Sequence, residues 1–439
     1  MRILFDGRYF CRHLDEKVGG RSGIFFVTFN LLRQFCRRDD IQVTLHIDSE
    51  VNKEQIAAAL ERDFGIHTVS LNFLAEDLQP NSVFERFYKR LFAYKEKKRR
   101  KKQYACRSLM NIVLFMPKQI RKFIRFYNNR AYAAAVSSHN VYFSPAFYFS
   151  DYIENNPALK KFIILHDVIP LVLEGYNIAS GGWLGKICRN IKTGDTAFAV
   201  SAYSKKDFQK FVEPERLNDE NCYVMPLAAS DNFYQETDER KIAQVREKYH
   251  IPAGKKYILS LCTVEPRKNL KFAVRNFIKF LWQSEADDVV FALGGGHWDD
   301  FIKEMEAELA NLGKYSDKVI RLGYIDDKDM AALYSGALCF IYPSLYEGFG
   351  LPPLEAMQCG TPVITSNVSS LPEVVGKAAL TINPKSDVEC VNAIMRLYND
   401  AALRRQLSVK GLERAAQFSW AKTANAMLAV MQEKINERP

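Results

Sequence analysis

Two glutamates eight positions apart, Glu347 and Glu355, stand on either side of the turn Gly348-Phe349-Gly350, which directly follows the strand-like run FIYPS. A helix can begin at Pro352 and Pro353, which predicts Glu355 in its first turn. Glycines let a backbone approach a ligand closely, and unpaired N–H groups at a helix start favour an anion such as a phosphate. An ionised carboxylate at that place can also accept hydrogen bonds from a diol such as a ribose. The plainer reading is a loop and a helix start, with Glu355 complementing the helix dipole.

Further candidates follow other strand-like runs. Arg267 and Lys268 come after KYILSLC, within LCTVEPRKNL. Arg offers a planar bidentate fork and Lys a point charge, both suited to phosphate, against the alternative of a solvated basic turn. His166, in HDVIP after FIIL, stands at the carboxyl end of a strand with Asp167 beside it. Its alternative is a satisfied structural histidine. Gly19, Gly20 and Gly23 in VGGRSGIFFVTF form a loop entering a helix, Gly23 lying just before the apolar helical pattern. Gly294 to Gly296 close DVVFALGGG, where they either admit a ligand or simply turn the chain.

The elements that must position these residues alternate along the chain. RILF, QVTLHI, NVYFSP, FIILHDV and TAFAVS in the first half, then KYILSLC, DVVFALGGG, KVIRLGY, ALCFIYPS and TPVITS, are strand-like runs separated by helical patterns. Such alternation predicts α/β architecture with parallel sheets. At 439 residues, 48% of them hydrophobic, the chain exceeds the roughly 250–300 residues at which one core stops growing. Two domains are therefore expected, with the hinge in CYVMPLAASDNFY: residues 1–225, then 226–417. The closing run FSWAKTANAMLAVMQEKI reads as an amphipathic helix over 418–439, entered at a Ser419 N-cap. In open α/β sheets ligands bind outside the carboxyl ends of the strands, so residues directly after strands carry the most weight.

Charge is concentrated rather than spread. Residues 81–130 carry 16 Lys and Arg against Glu85 and Glu96, so this segment holds +14 of a chain whose total is +10. Phe, Tyr, Leu and Ile interleave with these cations, a pattern that suits an anionic membrane surface, a nucleic acid or a solvated insertion. Nine scattered cysteines without a CxxC pair argue against a disulfide framework or a zinc site, and predict a reducing, cytoplasmic compartment. The chain opens on MRILFDGRYF, a strand and turn rather than a targeting segment, and no run of about 18 apolar residues is present to span a bilayer.

The run YPSLYEGFGLPPLEAM with the following CGTPVITSNVSSLPEVVG resembles the Glu-x7-Glu motif of the family-4 retaining glycosyltransferases. The likeness extends over most of the chain except the basic insertion. It implies a GT-B fold, two Rossmann-like domains facing across a cleft, with the last helix returning to the first domain. It implies Glu355 on the nucleotide ribose, Glu347 near donor-sugar hydroxyls, and backbone N–H groups of Gly348, Phe349, Gly350 and Leu351 on the sugar and phosphates. HDVIP resembles the family's histidine loop, which places His166 on the transferred sugar, and the loop at Gly23 resembles the one over the donor phosphates. RLGYIDDKDM resembles the base-binding loop, with backbone atoms of Tyr324 and Ile325 at the nucleobase. Arg267 and Lys268 would stabilise the leaving diphosphate; where the family often has an arginine after a glycine, this chain has Cys262 and Thr263, so the load falls on the pair.

Asp327-Lys328-Asp329 spells DxD, a metal mark in the other large transferase fold, but its place before MAALYSG predicts N-capping and dipole complementarity. No metal or other cofactor is expected, only a nucleoside diphosphate sugar as donor. The expected activity is transfer of a hexose or deoxyhexose, with retention, to a glycan or lipid-linked acceptor in cell-surface polysaccharide synthesis. Lipid-linked acceptors favour a membrane role for the basic segment, at the inner face of the membrane, over nucleic acid. Two alternatives stay open: an epimerase or hydrolase of nucleotide sugars on the same scaffold, and a catalytically silent nucleotide-sugar-binding subunit.

Overall fold

A computed structural model describes residues 1–8, 10, 23–47, 53–64, 66, 72–75, 132–173, 182–263, 265–295 and 313–437. The basic segment at 81–130 and its expected membrane contact, with Gly19, Gly20 and Gly296, lie outside the described residues. Two compact units divide the chain: Met1–Arg21, Phe35–Phe162 and Met431–Pro439 form one, Ser22–Gln34 and Ile163–Val430 the other.

The strands up to Val224 form one sheet: β1 (Arg2–Asp6), β2 (Gln42–Ile47), β3 (Asn72–Ala75), β4 (Val141–Ser144), β5 (Lys160–Leu165), β6 (Thr196–Ala199) and β7 (Cys222–Val224). Their order is β3-β2-β1-β4-β5-β6-β7. In β1, Ile3 lies opposite Val43 on one side and Val141 on the other, both pairings parallel. Phe5 packs edge-on to Phe35 at 6.0 Å between ring centres and tilted against Phe143 at 5.2 Å.

The strands from Lys256 onward form a six-stranded sheet: β8 (Lys256–Leu261), β9 (Val289–Gly294), β10 (Val319–Gly323), β11 (Cys339–Tyr342), β12 (Val363–Ser366) and β13 (Leu380–Ile382). Its order is β10-β9-β8-β11-β12-β13, with parallel pairings throughout. Runs such as VVFALG and CFIY are apolar without alternation because every position is buried; parallel sheets are covered on both faces. Helix Leu270–Ser284 and helix Asp387–Asn399 supply much of that cover through Phe272, Phe277, Phe280, Val391, Ile394 and Leu397. Phe277 meets Phe291 of β9 at 5.4 Å. Each such side chain contributes about 1.5–3 kcal/mol by leaving water.

The strand order of this sheet reverses between β8 and β11. Diverging connections leave a crevice at such a switch point, outside the carboxyl ends of the two strands. Arg267, Lys268 and Glu347 all follow these two strands. The last helix runs Trp420–Asn436, starting directly after Ser419. No described helix is long and apolar enough to cross a membrane.

Candidate functional site

The chain leaves β8 through a single 3-10 turn, Pro266–Lys268, before helix Leu270–Ser284 begins. Asn269, in the left-handed region at φ 58, joins the two. Its side-chain amide donates to the carbonyls of Pro343 (3.2 Å) and Pro384 (2.8 Å). The Arg267 carbonyl accepts from the N–H of Leu345 at 2.7 Å. These bonds pin the turn after β8 to the loop after β11, so Arg267 and Lys268 meet a carboxylate 80 and 79 positions further on.

Glu347 is 7% exposed, and four groups converge on its Oε1. Arg267 lies at 2.6 Å and Lys268 Nζ at 2.7 Å, while the hydroxyls of Tyr342 and Ser344 donate at 2.8 and 2.7 Å. Lys268 also donates to the Tyr342 hydroxyl and sits 4.9 Å from the centre of that ring. Among the described residues none of these bonds reaches Oε2, which remains as an acceptor. Burial by itself would raise the pKa of Glu347, but the charges of Lys268 and Arg267 outweigh it and hold the pKa at about 2. This contribution to stability is present above pH 4.5, the ordinary value, and is lost as pH falls towards about 2. Arg267 also donates to Glu265 (3.0 and 3.3 Å) and to the Tyr346 carbonyl (3.1 Å). By count, Arg267 has one N–H of its five and Lys268 one of its three beyond these partners.

The loop after Glu347 presents donors. The Ser370 hydroxyl lies 2.9 Å from the Glu347 carbonyl and 2.7 Å from the Phe349 carbonyl and donates to one of them at a time, and the Gly348 carbonyl is within reach of the hydroxyls of Ser201 and Ser204. In a trans peptide the N–H points opposite to the preceding C=O. The N–H groups of Gly348, Phe349 and Gly350 are therefore turned away from these serines. With Leu351, they find no acceptor among the described residues. Gly350, at φ +117, is the N-cap of helix Leu351–Gln358, and Pro352 and Pro353 contribute no N–H, so Leu351 supplies the free donor at the helix start. Consecutive free N–H groups of this kind form an anion-binding concavity.

The strand end at His166 reaches this loop. A Cβ placed on Gly348 would lie 2.4 Å from the His166 carbonyl oxygen and 2.9 Å from Asp167 Cβ, so only glycine permits the approach. Asp167 accepts from the Ile169 N–H at 3.1 Å, and burial holds its pKa above the usual carboxylate range. Gly23, the first residue of helix Gly23–Cys36, is placed so that a Cβ would meet Leu351 Cδ1 at 4.0 Å.

Glu355 has the opposite environment to Glu347. Its carboxylate accepts one long bond, 3.4 Å, from the buried Tyr334 hydroxyl. Burial, only partly offset by that bond, pushes its pKa up to about 7. Ile325 is buried at the end of β10, whereas Tyr324 is 75% exposed. No hydrogen bond or ion pair joins either to the charged cluster among the described residues. Gly294 ends β9, and the Gly295 N–H donates to the Gly323 carbonyl at 3.2 Å, which ties the ends of β9 and β10 to each other.

The family model for glycosyl transferases group 1 matches residues 241–414. Residues 241–414 are a glycosyl transferases group 1 domain. They contain Arg267, Lys268, Glu347 and Glu355. Among curated relatives, the serotype-specific mannosyltransferase WbdA of Escherichia coli is 29% identical over 276 residues, 62% of this chain and 33% of that protein. The O-antigen chain mannosyltransferase B of Escherichia coli is 40% identical over 177 residues, 40% of this chain and 45% of that protein. The chain thus spans a third to less than half of the length of these relatives. Among solved structures, Anabaena Alr3699/HepE in complex with UDP and glucose superposes with a TM-score of 0.66 at 14% identity, covering 99% of this chain and 100% of that one. WaaG, a glycosyltransferase involved in lipopolysaccharide biosynthesis, gives 0.60 at 12%, covering 98% of each chain. The two parallel-sheet α/β halves are those of the GT-B fold.

Two local expectations for the group 1 domain are corrected. Helix Leu351–Gln358 starts at Leu351, so Glu355 is its fifth residue and falls beyond the first turn. Asp329 occupies the N-cap position of helix Met330–Ser335 but makes no side-chain cap bond. Its carboxylate instead accepts from Lys248 and from the Tyr249 hydroxyl (3.0 Å), and Lys248 also pairs with Asp326. A lysine within reach gains more from that carboxylate than a backbone N–H would. Among the described residues no group of three His, Cys, Asp or Glu side chains is placed to hold a metal ion.

Sequence reasoning passed over Tyr342, Ser344 and Ser370 of the domain, and Ser201 and Ser204 before it. A run of hydroxyls, SNVSS, and the S-x-x-S start of a helix were the available signals. Gly348→Ala is expected to cost about 1–3 kcal/mol, since backbone must move to admit the methyl; thermal unfolding against wild type measures it.

Proposed function

We propose that the chain is a retaining glycosyltransferase that moves a hexose, mannose first among candidates, from a nucleoside diphosphate sugar to a glycan or lipid-linked acceptor of a cell-surface polysaccharide. The observation that carries this reading is the row of four free N–H groups, Gly348 to Leu351, beside a cluster of two buried cations at the switch point. The group 1 domain and the mannosyltransferase relatives support the same class, and the UDP held by Anabaena Alr3699/HepE supports a nucleoside diphosphate.

In this reading the N–H row and the spare donors of Arg267 and Lys268 take the diphosphate. Oε2 of Glu347 and the imidazole of His166 orient the sugar, and Glu355 accepts from the ribose diol. Tyr324 and Ile325 lie at the base and Gly23 over the phosphates. The acceptor hydroxyl attacks the anomeric carbon from the side of the leaving group as the bond from carbon to phosphate oxygen breaks. Its proton passes to the departing phosphate, and configuration is retained. Backbone dipoles and fixed cations carry the charge that a metal would otherwise carry, so activity should survive chelation. The basic segment at 81–130 holds the protein to anionic lipid, each cation near the surface contributing about 1 kcal/mol. Its deletion should release the protein from anionic liposomes, and undiminished binding after deletion would count against this role.

The test is calorimetric titration with GDP-mannose and UDP-glucose over pH 5.5–8, alongside an assay for transfer to a lipid-linked glycan. A ribose bound through its hydroxyls needs Glu355 ionised, so binding lowers the pKa of about 7 that the free site holds. Affinity should therefore rise with pH, roughly tenfold per unit below 7, and level off above it. Glu355→Gln should flatten the profile. Sugar-nucleotide breakdown without transfer, or no binding by wild type, would refute the proposal.

A further inference from the structure

Helix Ala202–Phe208 follows β6 and makes no part of the group 1 domain, yet its start is tied to the donor loop by hydroxyls alone. Ser201, the N-cap residue, accepts from the Ser204 N–H at 2.9 Å and donates its own proton to the Gly348 carbonyl at 2.7 Å. Ser204 lies 2.8 Å from the His166 carbonyl and 2.9 Å from the Gly348 carbonyl. A hydroxyl has one proton, so the assignment that satisfies both carbonyls is Ser201 to Gly348 and Ser204 to His166. Both serines are buried, and water cannot replace either bond. The helix start is held independently: the Glu373 carboxylate accepts from the N–H groups of Ala202 (2.8 Å) and Tyr203 (2.7 Å), and Tyr346 donates its hydroxyl to Asp207. The two hydroxyls are therefore not needed to keep the helix in place. What they determine is the orientation of the peptide joining Gly348 to Phe349, and its distance from the strand end at His166.

We propose that Ser201 and Ser204 are positioning residues for donor transfer: they fix the Gly348–Phe349 peptide so that its N–H meets the diphosphate, and they hold His166 in register with it. This rests on the donor-phosphate reading of the loop. With one peptide free to rotate, the row loses its second donor and the carbonyl, a negative end, can swing towards the phosphate. A nucleoside, which lacks phosphates, would not sense the change.

The variants are Ser204→Ala, the double change Ser201→Ala with Ser204→Ala, and Ser204→Thr as the conservative exchange. Calorimetric Kd is measured for GDP or UDP, whichever wild type binds, and for the matching nucleoside, with kcat and KM for transfer and a melting curve for each variant. The double variant is expected to bind the diphosphate roughly tenfold more weakly, to leave nucleoside affinity unchanged and to lose kcat as well. Ser204→Thr should restore most of what Ser204→Ala loses. If diphosphate and nucleoside affinities fall together, or neither falls in a variant that melts as wild type, the serine proposal is overturned while the donor site stands. If wild type binds no nucleoside diphosphate, the donor reading itself fails. Should the double variant not fold, the single Ser204→Ala carries the same comparison through kcat.

Discussion

Lys268→Met is expected to lower the rate of sugar transfer at saturating donor by roughly 10²- to 10³-fold, the usual cost of removing one preorganised charge from a site where charge develops. Two effects combine in that loss. The ammonium no longer balances the departing diphosphate, and Glu347 keeps Arg267 as its sole cation, although burial still opposes its ionisation. The second effect has its own signature. Losing the Coulomb attraction of Lys268 raises the pKa of Glu347 from about 2, so the acid limb of the activity profile should move towards neutral pH. Arg267→Lys provides a comparison, because it keeps charge but not the fork that spans Glu347, Glu265 and the Tyr346 carbonyl. Steady-state kinetics across pH 4–8 measure both features. An unchanged rate at saturating donor would remove Lys268 from the chemistry.

Glu347→Ala is expected to cost stability as well as activity, by roughly 3–5 kcal/mol, because breaking a buried ion pair leaves charge uncompensated. Here the deleted carboxylate strands Lys268, 6% exposed, and a largely buried Arg267, and also the hydroxyls of Tyr342 and Ser344. Glu347→Gln keeps an acceptor for those hydroxyls and should lose less, though still more than a surface change would. Combining Glu347→Gln with Lys268→Met removes one charge of each sign, so the double variant should be more stable than the sum of the single losses predicts. Denaturant unfolding followed at the tyrosines and tryptophans reads these differences, and simple additivity would mean the pair is not coupled.

Much of the architecture was legible because parallel strands buried on both faces leave near-continuous apolar runs. KYILSL, VVFALG, CFIY and VITS all stand where such runs predicted strands. The glycine and proline punctuation of EGFGLPPLEAM likewise predicted a turn and a helix, and the turn and helix are there. Details set by competition between partners were not legible. The run DDKD could have capped a helix, and instead Asp326 and Asp329 took Lys248, which lies about 80 positions earlier in the chain. Ser201 and Ser204 gave no signal of their role, since nothing in AVSAYSKK announces that Gly348 lies against them.

Glu347 and Glu355 show the division most clearly. By itself the sequence determined that two carboxylates would flank a glycine turn at the mouth of a strand, because strand, turn and helix follow from local pattern. It also determined which donors and acceptors that stretch could offer. Only the tertiary structure decided that one carboxylate would be held near pKa 2 and the other near 7. Both are taken out of water, and burial pushes both upwards. The difference is that β8 and β11 lie side by side at the switch point, which brings two cations within 2.7 Å of Glu347 and none into contact with Glu355. Coulomb attraction depends on distance in space and on the water excluded between the charges, and neither is written in the order of residues.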